Sequence, residues 1–174
     1  LAWLNEEQIT LLHPVPSLAQ AWLQHAPPTY ACASLRWSFF AGEPLPATLV
    51  RRWRQHFPAT QVANLYGPSE TTMAKCCYVV PDPPLPGVQP IGMPLPGAQA
   101  LILGEDGASC GIGEPGQIVL RTPYRTRGYL NPDRGAQRFA RNPQGDGPED
   151  LFYYTGDRGR RRPDGNLEIL GRVD

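Results

Sequence analysis

Asn64-Leu65-Tyr66-Gly67-Pro68-Ser69-Glu70-Thr71-Thr72 is the stretch on which the reading of this chain turns. It follows a short run, residues 61–63, that reads as the end of a buried strand. Gly67-Pro68 then turns the chain, because glycine tolerates positive φ and proline fixes φ at about −65°. A hydroxyl, a carboxylate and two more hydroxyls come next. In open α/β sheets, ligands bind outside the carboxyl ends of the strands. The set suits a flat base against Tyr66, a phosphate on Ser69 and the turn amides, and a hard cation on Glu70. The same nine residues also fit an ordinary β-turn with an exposed tyrosine, and alone they do not choose between the two.

Working outward, residues 1–80 alternate strand and helix. Residues 9–13 form a short apolar strand. Pro16-Ser17 opens a helix in which Leu18, Ala21, Trp22 and His25 share a face. Residues 35–41 make a second strand, and Gly42-Glu43-Pro44 turns into a helix over 46–56. Leu49, Trp53 and Phe57 form its inner face, with Arg51, Arg52 and Arg54 toward water. Residues 61–65 are the third strand. Alternating β and α with short links implies a parallel sheet.

The pattern changes after Pro81. A Pro-rich connection over 82–90 leads to short strands at 98–103, 117–121, 151–154 and 167–170. Pro163-Asp164-Gly165 is a hairpin turn between 158–162 and 166–170. One helix is expected near 132–139. The chain therefore reads as α/β: a parallel-sheet α/β half, residues 1–80, followed by an antiparallel, β-barrel-like half, residues 81–174.

The 174 residues carry 16 basic and 16 acidic side chains, so net charge argues for neither a nucleic-acid nor a membrane-surface partner. The one basic run, Arg158-Gly159-Arg160-Arg161-Arg162, reads as a solvated edge rather than a phosphate groove. The 21 prolines, spread along the chain, are about twice the usual ~5% and imply many turns. Cys32, Cys76, Cys77 and Cys110 match neither a zinc nor a disulfide spacing, and read as reduced, partly buried thiols of a cytoplasmic protein. No apolar run reaches the ~20 residues of a membrane span. The lack of an initiator Met, a helix-like pattern already running at Leu1 and a stop just after a strand suggest a piece of a larger protein.

Four motifs occur in order: Asn-x-Tyr-Gly-Pro-Ser-Glu-Thr-Thr (64–72), Gly-Gln followed by Arg-Gly-Tyr-Leu (116–130), Tyr-x-Thr-Gly-Asp (153–157) and Gly-Arg-x-Asp (171–174). Ala41-Gly42-Glu43-Pro44-Leu45 and Pro90-Ile91-Gly92-Met93-Pro94 stand before and between them. In this combination the chain resembles the adenylate-forming enzymes. It is most similar to the amino-acid adenylation domain of nonribosomal peptide synthetases, and the likeness covers essentially the whole sequence.

The resemblance implies an acyl-adenylate synthetase-like fold and a two-step, AMP-forming ligase reaction. A carboxylate attacks the α-phosphorus of ATP to give acyl-AMP and pyrophosphate. The phosphopantetheine thiol of a carrier protein then accepts the acyl group. Carrier and condensation domains of the same assembly line are the implied partners. Residue by residue, Tyr66 would stack on adenine, with Gly42, Glu43 and Pro44 lining the base and Asn64 bonding its amino group. Ser69 would contact the α-phosphate region and Glu70 would ligate magnesium. Asp157 would take both ribose hydroxyls, Arg172 would contact the ribose, and Asp174 would be the hinge to a C-terminal lid. The amino-acid pocket would be walled by His13, Phe39, Ala41, Leu65, Met73 and Ala74, with the Gly67 carbonyl near the substrate amine. These walls are mostly apolar, which points to an uncharged or modestly polar substrate. His13 equally fits a buried structural histidine.

Three positions depart from the family pattern: Ser69 replaces a usual Thr, Tyr154 a usual Arg or Lys, and Arg158 a usual Leu. The family's phosphate loop, the aspartate that pairs the substrate amine and the lid lysine have no counterpart among the 174 residues, so the chain alone is expected to be inactive. Two rival readings remain, an acyl-CoA or fatty-acyl ligase fragment and a non-catalytic adenylation-like scaffold.

Overall fold

A computed structural model describes residues 1–26, 32–131, 138–143, 145 and 147–173. The contacts divide them into two compact units, Leu1–Leu65 with Tyr78–Gln89, and Tyr66–Cys77 with Pro90–Asp174. Relative to a cut at Pro81, residues 66–77 thus belong to the second unit and 81–89 to the first.

In the first unit, helix α1 (Ala2–Glu6) leads to strand β1 (Leu11–Leu12), helix α2 (Pro16–His25), strand β2 (Trp37–Ala41), helix α3 (Ala47–His56) and strand β3 (Gln61–Tyr66). β1, β2 and β3 are parallel neighbours, as βαβ alternation requires. On α3, Leu49, Val50 and Trp53 are buried, and Phe57 follows them into the core. The Trp53 indole meets Phe40 edge-on at 5.4 Å and Phe57 at 4.5 Å, and its Nε1–H donates to Ser38 Oγ at 2.9 Å. Arg54 does not simply face water: its guanidinium donates to the carbonyls of Val80 and Pro81.

α2 corrects the sequence reading in phase but not in period. Its buried residues are Pro16, Ala19 and Leu23, while Leu18 is exposed and Trp22 only half-buried. A 3.6-residue repeat fits two adjacent stripes when both hold apolar residues, and the packing of the core selects one. The strand expected at 9–13 pairs only over Leu11–Leu12.

The second unit is built on an antiparallel sheet of order β10-β9-β7-β6, with β8 also paired to β9. Its strands are β6 (Gln99–Leu103), β7 (Pro115–Arg121), β8 (Phe139–Arg141), β9 (Leu151–Arg161) and β10 (Leu167–Arg172). Strands β4 (Cys76–Val79) and β5 (Met93–Pro94) were not foreseen; they pair antiparallel through Cys76–Pro94 and Cys77–Met93. The helix expected near 132–139 falls mostly outside the described residues, and Phe139 opens β8 instead. The β9–β10 hairpin forms at Pro163-Asp164-Gly165, closed by Arg162 N–H to the Asn166 carbonyl at 2.8 Å. Part of the basic run at the end of β9 is held by partners within the sheet. Arg160 and Arg162 both reach Glu168, and Arg161 donates to the carbonyls of Ala100 and Gly165.

Candidate functional site

The glycine of Thr155-Gly156-Asp157 breaks the β7–β9 ladder. Val119 pairs with Tyr154 while Gln117 pairs with Arg158, so the three residues bulge out of register. Gly156 sits at φ +78°, which a side chain would oppose. Thr155 Oγ1 donates to the Ile118 carbonyl at 2.7 Å and accepts from Asp157 N–H at 3.0 Å, which pins the bulge. Bulges re-aim side chains in this way. β10 carries its own irregularity between Ile169 and Gly171, and this sets Arg172 opposite Asp157. Arg172 Nη1 donates to Asp157 Oδ1 at 3.0 Å. The other carboxylate oxygen, Oδ2, accepts from the Tyr66 hydroxyl at 2.5 Å. Tyr66, Asp157 and Arg172 are therefore assembled as one cluster. Burial and the bond to Asp157 push the Tyr66 hydroxyl far above its usual range, so it remains a donor.

Below Tyr66 the chain is tightly wound. Lys75 N–H donates to the Tyr66 carbonyl at 2.6 Å, and a Cβ on Gly67 would stand 2.0 Å from the Met73 carbonyl oxygen. Thr72 and Met73 both have positive φ, 54° and 65°, a costly conformation for side chains with a Cβ. Met73 is exposed and Ala74 half-buried. Ser69 is exposed at the start of a 3-10 turn, Ser69–Thr71.

Glu70 follows it. Its Oε1 accepts from the Tyr129 hydroxyl at 2.6 Å, and its backbone carbonyl accepts from Thr126 N–H at 2.7 Å. Burial works against its ionisation, but the Tyr129 and Tyr153 hydroxyls and the Arg138 guanidinium outweigh it and hold the carboxyl below the usual range. Among the described residues no group of three or more His, Cys, Asp or Glu side chains converges. A lone ionised carboxylate suits magnesium, which keeps several waters and takes one or two protein carboxylates together with substrate phosphates. It does not suit a metal that needs an all-protein cage.

In the first unit, Phe39 and Ala41 lie on one face of β2, with Leu65 registered beside Ala41. His13 is exposed, not buried, and stacks on Phe39 at 4.9 Å and 20°. Asn64 is buried, and its Nδ2 approaches the Gln89 carbonyl at 3.4 Å. Gly42 turns the chain at φ +84°, and Pro44 is exposed beyond it. The Glu43 carboxylate receives both the backbone N–H and the hydroxyl of Ser17, at 2.8 and 2.7 Å. Asp174 lies outside the described residues.

Four participants escaped the sequence reading: Tyr129, Arg138, Tyr153 and Thr155. Tyr129, Tyr153 and Thr155 stand inside motifs already singled out, so the signal was present without a role attached. Arg138 carries no such signal. It donates to the Tyr154 carbonyl at 3.3 Å and packs over Gly156.

This architecture is the acyl-adenylate synthetase fold. One solved structure, of a protein of nonribosomal peptide synthesis containing adenylation and peptidyl-carrier domains, superposes with a TM-score of 0.85 at 29% identity, covering 98% of this chain and 34% of that one. Residues 1–130 match the AMP-binding enzyme family, and the chain belongs to that family. Similar curated proteins include an L-proline–[L-prolyl-carrier protein] ligase of Pseudomonas fluorescens, 34% identical over 99% of this chain and 32% of its own length. Gramicidin S synthase 1 of Brevibacillus brevis is 31% identical over 99% of this chain and 15% of its own length. The chain thus spans about a third or less of these curated relatives.

Proposed function

We propose that this chain is part of an amino-acid adenylation domain, which forms aminoacyl-AMP from ATP and passes the aminoacyl group to a carrier-protein phosphopantetheine thiol. The observation that carries this reading is the Tyr66–Asp157–Arg172 cluster, in a chain of the AMP-binding family. An acidic group with two acceptor oxygens suits a vicinal diol, and Asp157 is the ribose-binding residue in this reading. Arg172 and the Tyr66 hydroxyl orient it, and Arg172 also contacts the ribose. The Tyr66 ring takes adenine, and Asn64, Gly42, Glu43 and Pro44 contribute further contacts to the base. Ser69 meets the α-phosphate region.

Glu70 holds the magnesium ion, whose chemistry is to offset charge on the phosphate oxygens. His13, Phe39, Ala41, Leu65, Gly67, Met73 and Ala74 are the residues this reading assigns to the amino acid, and their mostly apolar character suits an uncharged or modestly polar substrate. Asp174 is the hinge residue. Carrier and condensation domains are the partners. The cysteines described are free thiols, which agrees with a reducing, cytoplasmic setting. No helix among the described residues is long and apolar enough to cross a membrane.

Amino-acid-dependent exchange of pyrophosphate into ATP tests the reading. The full-length protein should exchange with at least one amino acid, and Glu70→Gln should lower the rate by tenfold or more, roughly the scale on which charge-stabilising groups act. The 174 residues alone should be silent. Exchange unaffected by Glu70→Gln would remove the cation role from that residue. Exchange by the isolated chain would contradict the assignment to part of a domain.

A further inference from the structure

Glu70 is a flexible side chain with three rotatable bonds, and a carboxylate free to turn is a poor ligand. The structure restrains that freedom. The Tyr129 hydroxyl takes Oε1 at 2.6 Å, while Thr126 N–H fixes the backbone of the same residue at 2.7 Å. Tyr129 is itself framed. Its ring lies 6.2 Å from Phe139, which lies 4.9 Å from Tyr153, and the two tyrosine hydroxyls are 3.5 Å apart. Phe139 and Tyr153, from two other segments, thus frame the tyrosine whose hydroxyl meets that carboxylate oxygen.

We infer that Tyr129 is the positioning residue for the Glu70 cation site: its hydroxyl occupies one carboxylate oxygen and turns the other toward the metal, so that Glu70 binds with a single oxygen. The inference rests on the reading of Glu70 as a magnesium ligand and adds to it a residue that touches neither metal nor nucleotide. Partners that orient a metal ligand change metal affinity by roughly 10–100-fold when removed.

The test uses the full-length protein saturated with ATP and titrated with Mn2+ as probe, read by water-proton relaxation. Titration with AMP, which needs no cation, is the companion measurement. Tyr129→Phe keeps the ring and removes the hydroxyl. Mn2+ binding should weaken by roughly tenfold or more while AMP affinity and melting temperature stay at the parent values. Equal loss of Mn2+ and AMP binding would mean a general collapse of the site and would overturn the inference. Weak Mn2+ binding in Glu70→Gln but normal binding in Tyr129→Phe would overturn it and leave Glu70 as a ligand. Normal binding in both would remove the Glu70 reading as well. If Tyr129→Phe does not fold, Tyr129→Leu also removes the hydroxyl while keeping an apolar side chain; weaker Mn2+ binding with normal AMP affinity supports the inference, and unchanged Mn2+ binding overturns it.

Discussion

The Tyr66 hydroxyl donates to Asp157 Oδ2 at 2.5 Å although the two residues are 91 positions apart. The bond joins the first of the sequence motifs to the third. It leaves Asp157 with one oxygen on Tyr66 and the other on Arg172, so the carboxylate is oriented by two donors from two elements.

Tyr66→Phe isolates that bond from the ring. A hydrogen bond to a charged group contributes about 1.5–3 kcal/mol, and Asp157 then keeps Arg172 as its side-chain donor among the described residues. Nucleotide affinity of the full-length protein should fall by about tenfold, and Tyr66→Ala should fall further because the ring is also lost. Equal affinities for parent and Tyr66→Phe, by calorimetric titration with AMP, would show the hydroxyl to be idle.

Gly67→Ala should be severe. The added Cβ would stand 2.0 Å from the Met73 carbonyl oxygen and 2.8 Å from the Lys75 nitrogen, both backbone atoms. Backbone cannot yield as a side-chain tip can, so the loss should reach about 3 kcal/mol or more. The midpoint of urea unfolding measures it.

Trp53 anchors the first unit. Trp53→Ala should cost about 4 kcal/mol, a large share of the stability of an ordinary domain. Trp53→Phe should cost about 1–2 kcal/mol, because Ser38 Oγ loses the indole donor and keeps its contact with Thr60. Unfolding midpoints should rank parent, Phe and Ala in that order.

Asp150 supplies an acid-sensitive link in the second unit. The Arg121 guanidinium, bonded through two nitrogens at 2.7 Å, holds its carboxyl below the usual range; burial opposes this and Asn142 assists. A carboxyl whose pKa is lower in the folded state stabilises above its unfolded value, and that contribution fades as pH falls through the folded value. Asp150→Asn should therefore lower the melting temperature at pH 7, and the difference should shrink as pH falls below the usual carboxylate range. A difference that stays constant as pH falls would show that the ion pair does not set it.

Cys76 is fully buried, and burial pushes its thiol up to about 12. At neutral pH it should resist iodoacetamide in the native protein and react after unfolding, since the thiolate is the nucleophile. Peptide mass spectrometry before and after urea treatment reads this directly.

Local chemistry made much of this protein legible from its residues. The βα alternation, the inner face of α3, the 163–165 hairpin turn and the order of the four motifs each depend on neighbours within a few positions, where periodicity and turn propensity act. The resemblance to adenylate-forming enzymes followed from those motifs. Other features depended on contacts between distant segments. Which stripe of α2 faces inward was settled by the core, and β5 is a strand because Met93 and Pro94 find partners at Cys77 and Cys76. The Asp157–Arg172 pairing needed two ladder irregularities in different strands, and Tyr129 gained its role only when Glu70 arrived beside it. Sequence determines which groups are available, whereas the distance between groups far apart in the chain is set by how the strands register and pack.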